Sequence, residues 1–203
     1  MPQKLEVVFL GTGSHVPTTK RNHTGILISY GSENILVDCG EGIQRQLKIA
    51  NLNPCKLTRI LITHWHGDHV LGVPGLLYTL NMSDYSKTLH IYGPKGTKNH
   101  LSGLEKIYGK FHLDLNIHEV SSEKFLETED FIIETLPMVH GIPTNAYSFI
   151  LKDKRRLAKN KIKKLKLPSS PVLKRLQEGK DIIHNGKKIG AKSVTYLEKG
   201  KKV

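Results

Sequence analysis

The feature that most constrains this chain is the run Leu61-Ile62-Thr63-His64-Trp65-His66-Gly67-Asp68-His69. Four side chains able to ligate a metal fall within six residues, directly after a β-rich stretch from Leu57 to Thr63. His64 and His66 are two apart, so on an extended backbone they face the same side. Gly67 frees the chain to turn and bring Asp68 and His69 back to the same spot. Four ligands exceed the three of a catalytic zinc site and are too few for two sites. The pattern leads to a pair of metals that draws further ligands from elsewhere; the plain alternative is a chance cluster of surface histidines.

At 203 residues and 38% hydrophobic, the chain can bury one sizeable core, so one domain is expected. Nothing near the N-terminus resembles a signal peptide, and no apolar run is long enough to span a bilayer, so no membrane role is expected. Cys39 and Cys55 form no C-x-x-C pair, which suits a reducing, cytoplasmic setting. The net charge of +13 is unevenly placed. Residues 1–150 carry 13 Lys and Arg against 14 Asp and Glu; residues 151–203 carry 18 against 4. The whole basic excess sits in the last quarter, where nucleic acid is the expected partner rather than a merely solvated face.

In chain order, Leu5 to Leu10 reads as a buried strand ended by Gly11-Thr12-Gly13. Val16 stands where a dinucleotide fingerprint needs its third glycine, so the glycines are expected to form a tight turn. Gly25–Tyr30 and Asn34–Val37 read as a hairpin, and Ile43–Ala50 as a helix. Asp38 precedes that helix, where it either caps it or hydrogen-bonds a metal-bound histidine. Val73–Met82 and Thr97–Tyr108 read as helices, with Pro74 tolerated in the first turn. Leu89–Tyr92, Leu113–Val120, Phe125–Glu127, Phe131–Leu136 and Ala146–Lys152 read as strands. The alternation predicts an α/β chain: a mixed sheet covered by helices. His90, His100, His112 and His118 lack ligand spacing and read as structural or surface residues. Lys152–Lys166 is a basic run with apolar residues at roughly helical spacing, and Val172–Glu178 is a second short helix. His184–Lys188 holds an Asn185-Gly186 hairpin, and Ser193–Leu197 reads as a strand.

T-H-W-H-G-D-H resembles the signature of the metallo-β-lactamase superfamily, and the flanking residues resemble ribonuclease Z, the endonuclease that trims tRNA 3′ ends. The likeness also rests on Phe9-Leu10-Gly11-Thr12-Gly13, Pro17 through Asn22, Val37 through Gly42 with Gln44-Arg45-Gln46-Leu47, and Pro137-Met138-Val139-His140-Gly141. It implies an αββα sandwich. It also implies that His140 joins His64 and His66 on a first metal, ring nitrogens within roughly 4 Å of one another. Asp68 and His69 would serve a second metal, Asp68 would accept the proton of the attacking water, and Asp38 would hold a metal-bound histidine. The implied cofactor is zinc, two ions per complete subunit, with manganese as the other candidate. The implied reaction is two-metal hydrolysis of precursor tRNA by a homodimer.

The family's P-x-K-x-R-N loop maps onto Pro17–Asn22. Arg21 and Asn22 carry over as RNA contacts, while Lys20 is displaced by one position and Thr19 stands in its place. Residues 1–151 would form the core and 152–192 a projecting tRNA-binding arm without a core of its own. Residues 193–203 would be a return strand. Lys154, Arg155, Arg156, Lys161, Lys163, Lys164, Lys174 and Arg175 are the arm's candidate contacts. Ser169-Ser170-Pro171 replaces the family's glycine–proline segment. The family's bridging aspartate, last histidine ligand and acid–base residues have no counterpart in these 203 residues. The expectation is an incomplete enzyme that binds at most one zinc tightly. The competing readings are a non-catalytic tRNA-binding fragment and a related hydrolase of small esters.

Overall fold

A computed structural model describes residues 3–121, 123–169 and 171–203. They fall into two compact units, Met1–Phe125 with Glu134–Tyr147, and Leu126–Ile133 with Ser148–Val203.

The first unit is built on a mixed sheet. Strands β1 (Leu5–Gly11), β2 (Gly25–Tyr30) and β3 (Glu33–Val37) pair antiparallel. After helix α1 (Ile43–Ile49), β4 (Arg59–Leu61) joins β3 in parallel. A single helical turn, α2 (Gly67–Val70), and helix α3 (Val73–Met82) follow. Then β5 (Leu89–Gly93), helix α4 (Thr97–Tyr108) and β6 (Leu115–Glu119) extend the sheet, again in parallel. The order β1-β2-β3-β4-β5-β6 is that of the sequence, with helices crossing over wherever the pairing is parallel.

Val73, Leu76, Leu77 and Leu80 give α3 one apolar stripe, and all four are buried. They pack with Leu36, Ile43, Leu47, Ile60, Ile62, Leu89 and Ile91 into the unit's core. This burial fixes β3, β4 and β5 side by side and holds the C-terminal ends of β3 and β4 together. Ligands in open sheets with parallel strands bind at those ends.

Strands β7 (Glu123–Glu127), β8 (Phe131–Met138) and β9 (Thr144–Leu151) form a separate three-stranded sheet that contributes to both units.

The second unit corrects three expectations. Lys154–Leu157, read as the start of a basic helix, is strand β10; helix α5 begins only at Lys159 and ends at Lys164. Helix α6 (Pro171–Gln177) and the hairpin β11 (Ile182–His184) and β12 (Lys187–Ile189) come next. Ser193 and Val194, read as strand, belong to the helical turn α7 (Ala191–Val194), whose first N–H donates to the Asp181 carboxylate. Strand β13 (Thr195–Glu198) then pairs antiparallel with β10. The third correction concerns burial. Leu167, Leu176, Ile182, Ile189, Ala191 and Val194 pack into a small core, so the basic segment is not without buried apolar side chains of its own. Residues 201–203 run along β9: Phe149 and Val203 exchange two backbone hydrogen bonds, and Leu151 donates to Lys201. Ser170, part of the segment that replaces the family's glycine–proline, lies outside the described residues.

Candidate metal centre

Strand β4 ends at Leu61, and the next five residues leave the sheet at its C-terminal edge. The backbone of Thr63 is tied down at once, since its carbonyl accepts from Asn145 N at 2.8 Å. One residue earlier, the Ile62 carbonyl accepts from the Tyr147 hydroxyl at 2.9 Å. Both donors lie on β9, which follows directly after the His140 loop. Gly141 turns that loop with a φ of 74°, in the left-handed region that costs glycine least. The strand that follows the His140 loop is thereby fastened to Ile62 and Thr63, directly before His64.

The result is convergence. The His64 and His140 ring centroids are 4.7 Å apart, His64 and His66 4.8 Å, and His66 and His140 5.2 Å. One ligating nitrogen from each lies within 4.8 Å of the other two. That is wider than the roughly 4 Å expected, and His140, the exposed member, is the ring with room to move. His64 is buried, and its pKa is lowered to about 4, by burial first and then by His69. At neutral pH it is an uncharged imidazole, the form that binds a metal.

A chain of hydrogen bonds sets its tautomer. Asp38 Oδ1 accepts from Thr63 N at 2.8 Å and Oδ2 from the Thr63 hydroxyl at 2.9 Å. With its proton committed to Asp38, the Thr63 oxygen accepts from His64 Nδ1 at 2.8 Å. A proton on Nδ1 leaves the Nε2 lone pair free for a cation.

Asp68 and His69 stand beside this trio. The His69 ring centroid is 4.1 Å from that of His64, and its Nε2 is 3.5 Å from Asp68 Oδ2. His69 Nδ1 donates to Asp38 Oδ2 at 2.6 Å, which again turns Nε2 outward. Burial pushes the His69 pKa down, but the hydrogen bond and charge of Asp38, with the charge of Asp68, outweigh it and leave it raised. Asp38 makes no cap for α1, whose N-cap is Gly42. Its backbone is left-handed at φ 57°, a conformation that aspartate adopts more readily than most residues other than glycine.

Among the described residues, the group able to hold an ion through three side chains is His64, His66 and His140. The donor set fits zinc: three imidazoles, two hydrogen-bonded ring nitrogens in the set and its flank, and a carboxylate beside them.

The other candidate residues are elsewhere. Arg21 and Asn22 line a polar cavity of about 440 Å³ with Lys20, Thr12, Thr18 and Arg45. The Asn22 side chain is engaged, donating to the Glu41 carbonyl at 2.6 Å. In the second unit, Lys154 pairs with Asp130 at 2.5 Å and Arg156 with Glu198 at 2.6 Å. Arg155 donates to Thr195 and Lys161 to the Ser193 carbonyl. Lys163, Lys164, Lys174 and Arg175 are exposed.

Two histidines escaped the sequence reading. The His15 ring lies 6.3 Å from that of His66, and its carbonyl faces Nε2 of the buried His23 at 3.3 Å. Neither has ligand spacing to another histidine, so no local signal marks them.

The sequence profile of the family described as Anti-Pycsar protein Apyc1 matches residues 5–176. The chain belongs to that family. It is also a homologue of ribonuclease Z. It is 40% identical over 200 residues to the ribonuclease Z of Nanoarchaeum equitans (strain Kin4-M), covering 97% of this chain and 62% of the relative. To that of Pyrococcus furiosus it is 42% identical over 196 residues, covering 96% and 62%. The chain thus spans about 62% of the length of these relatives. The crystal structure of the short form of human tRNase Z superposes with a TM-score of 0.63 at 30% identity, covering 71% of this chain and 62% of that one. A metallo-β-lactamase fold protein from Bacillus subtilis superposes at 0.60 and 23% identity, covering 71% and 57%. This ribonuclease Z homologue has the metallo-β-lactamase fold.

Proposed function

We propose that this chain carries the metal centre and the RNA-binding unit of a zinc-dependent endoribonuclease that removes the 3′ trailer from precursor tRNA. The observation that supports it most is the meeting of His64, His66 and His140, from two loops 74 residues apart, in a ribonuclease Z homologue.

In this reading, His64, His66 and His140 hold one cation through ring nitrogens, and Asp68 and His69 offer ligands to a second. Zinc, once bound, supplies an acidified water and charge stabilisation for an in-line displacement at phosphorus. Asp68, beside His69, would accept the proton of that water, and Asp38 would keep His69 in the tautomer that ligation needs. Thr63 passes the same constraint to His64. The phosphodiester is drawn in by cations. The exposed Lys163, Lys164, Lys174 and Arg175 supply positive charge at the surface, as suits contacts to a phosphate backbone. That basic excess favours a polynucleotide over a small ester, which needs no extended positive surface.

The test is to supply the native protein with zinc and a precursor tRNA bearing a 3′ trailer, and to map the ends formed. The reading predicts a tRNA ending in a 3′-hydroxyl and a trailer with a 5′-phosphate. Hydrolysis of small esters with no cleavage of the precursor would overturn it.

A further inference from the structure

Trp65 separates His64 from His66 in the sequence and touches neither the expected metal nor the substrate in any role assigned so far. Its indole is nonetheless held firmly. Nε1–H donates to the Thr97 hydroxyl oxygen at 2.9 Å, and the His100 ring stacks on the indole at 4.6 Å with 15° between planes. Thr97 and His100 both lie on the first turn of α4, so one helix end grips the edge and the face of the same ring.

The acceptor is itself fixed in place. Thr97 is completely buried, and its own hydroxyl proton goes to the Pro94 carbonyl at 2.7 Å. Gly96 turns the chain into α4 with a φ of 99°. The Glu119 carboxylate accepts from Gly96 N and Lys98 N, both at 3.0 Å. Gly93 packs against the hydroxyl so closely that a Cβ there would lie 2.3 Å from Thr97 Oγ1.

We propose that Thr97 is a positioning residue for the three-histidine metal centre, acting through the indole of Trp65. Asn145 secures the chain just before His64 by binding the Thr63 carbonyl. Thr97 secures it one residue after His64 and one before His66. Without that second tie, the backbone between the two ligands gains freedom, and their nitrogens no longer share one point. The inference rests on the metal-binding part of the proposed function and is independent of the RNA substrate.

Thr97→Val keeps the shape and removes the acceptor. Groups that orient metal ligands change affinity by about 10–100-fold when lost. The zinc dissociation constant, measured by competition with a chromogenic chelator, should rise about tenfold in Thr97→Val. Thr97→Ser should restore it to within about twofold. Trp65→Phe keeps a ring but donates nothing, and should lose as much as Thr97→Val. The double variant should bind no more weakly than either single one, because both remove the same bond. Trp65 is the only tryptophan in the chain, so its emission reports the bond directly. In metal-free Thr97→Val it should shift to the red as the indole N–H turns to water.

Wild-type affinity in Thr97→Val, or additive losses in the double variant, would overturn the inference. If Thr97→Val does not fold, Trp65→Phe decides alone: a tenfold loss supports the proposal and unchanged affinity overturns it. A wild-type chain that binds no zinc would instead overturn the metal centre, and this inference with it.

Discussion

Asp38 and His69 meet through a 2.6 Å hydrogen bond between Oδ2 and Nδ1, on a carboxylate that is buried and already accepts two donors from Thr63. One side chain thereby sets the tautomer of His69 directly and of His64 through Thr63. Asp38→Asn presents an amide where three donors converge, and at least one of them then faces N–H instead of oxygen. Zinc affinity should fall about 10–100-fold. Chelator competition checks it, and affinity within twofold of wild type would show that Asp38 does not orient the ligands.

The depressed pKa of His64 makes stability depend on pH. The unfolded histidine takes its proton near pH 6.5, the folded one only near pH 4. Between these values the unfolded state binds more protons, so acidification from 6.5 toward 4 destabilises the metal-free protein. His69, raised by Asp38 and Asp68, acts in the opposite sense: its contribution is present at low pH and lost as pH rises through its folded pKa. His64→Gln removes the first effect alone. The melting temperature of metal-free His64→Gln should therefore fall less than wild type between pH 6.5 and 4.5. Parallel curves would contradict the assignment.

Much of this geometry was legible in the sequence because it is local. His64, His66, Asp68 and His69 come from one short run. The apolar spacing in Val73–Met82 matches the observed helix residue for residue, as does Thr97–Tyr108. What could not be read depends on distant partners. Lys154–Leu157 opens a basic run whose apolar residues, from Leu157 to Leu167, fall at roughly helical spacing, but it pairs as a strand with Thr195–Glu198, about forty residues on. The second core escaped because its six buried side chains are spread from Leu167 to Val194, so that no short window looks apolar. The bond from Trp65 to Thr97 joins positions 32 apart and leaves no trace in spacing.

That second core makes its own prediction. Leu176 is fully buried in it, and Leu176→Ala should destabilise the unit by about 2–5 kcal/mol. Hydrogen exchange across residues 157–194 should rise accordingly. Unchanged protection would mean that the core does not hold the unit together.

RNA binding should separate the exposed cations of α5 and α6 from those in the ion pairs of β10. Replacing Lys163, Lys164, Lys174 and Arg175 with glutamine removes exposed charge. Each lost phosphate contact should flatten the dependence of log K on log salt by about 0.7–0.9. The same change at Lys154 and Arg156 removes ion pairs to Asp130 and Glu198, and should alter the slope less. A slope unmoved by the first set would mark the basic excess as a solubilising surface.

Zinc titration of a polypeptide of residues 1–203 asks whether the three histidines act as one site. Three imidazoles with water complete a zinc coordination shell, whereas Asp68 and His69 supply two ligands between them. The prediction is one tightly bound zinc per chain, with X-ray absorption showing imidazole nitrogens at about 2.0–2.1 Å, and its loss in His140→Ala. Zinc bound as tightly by His140→Ala as by the wild type, or two tight zinc ions per chain, would contradict the account.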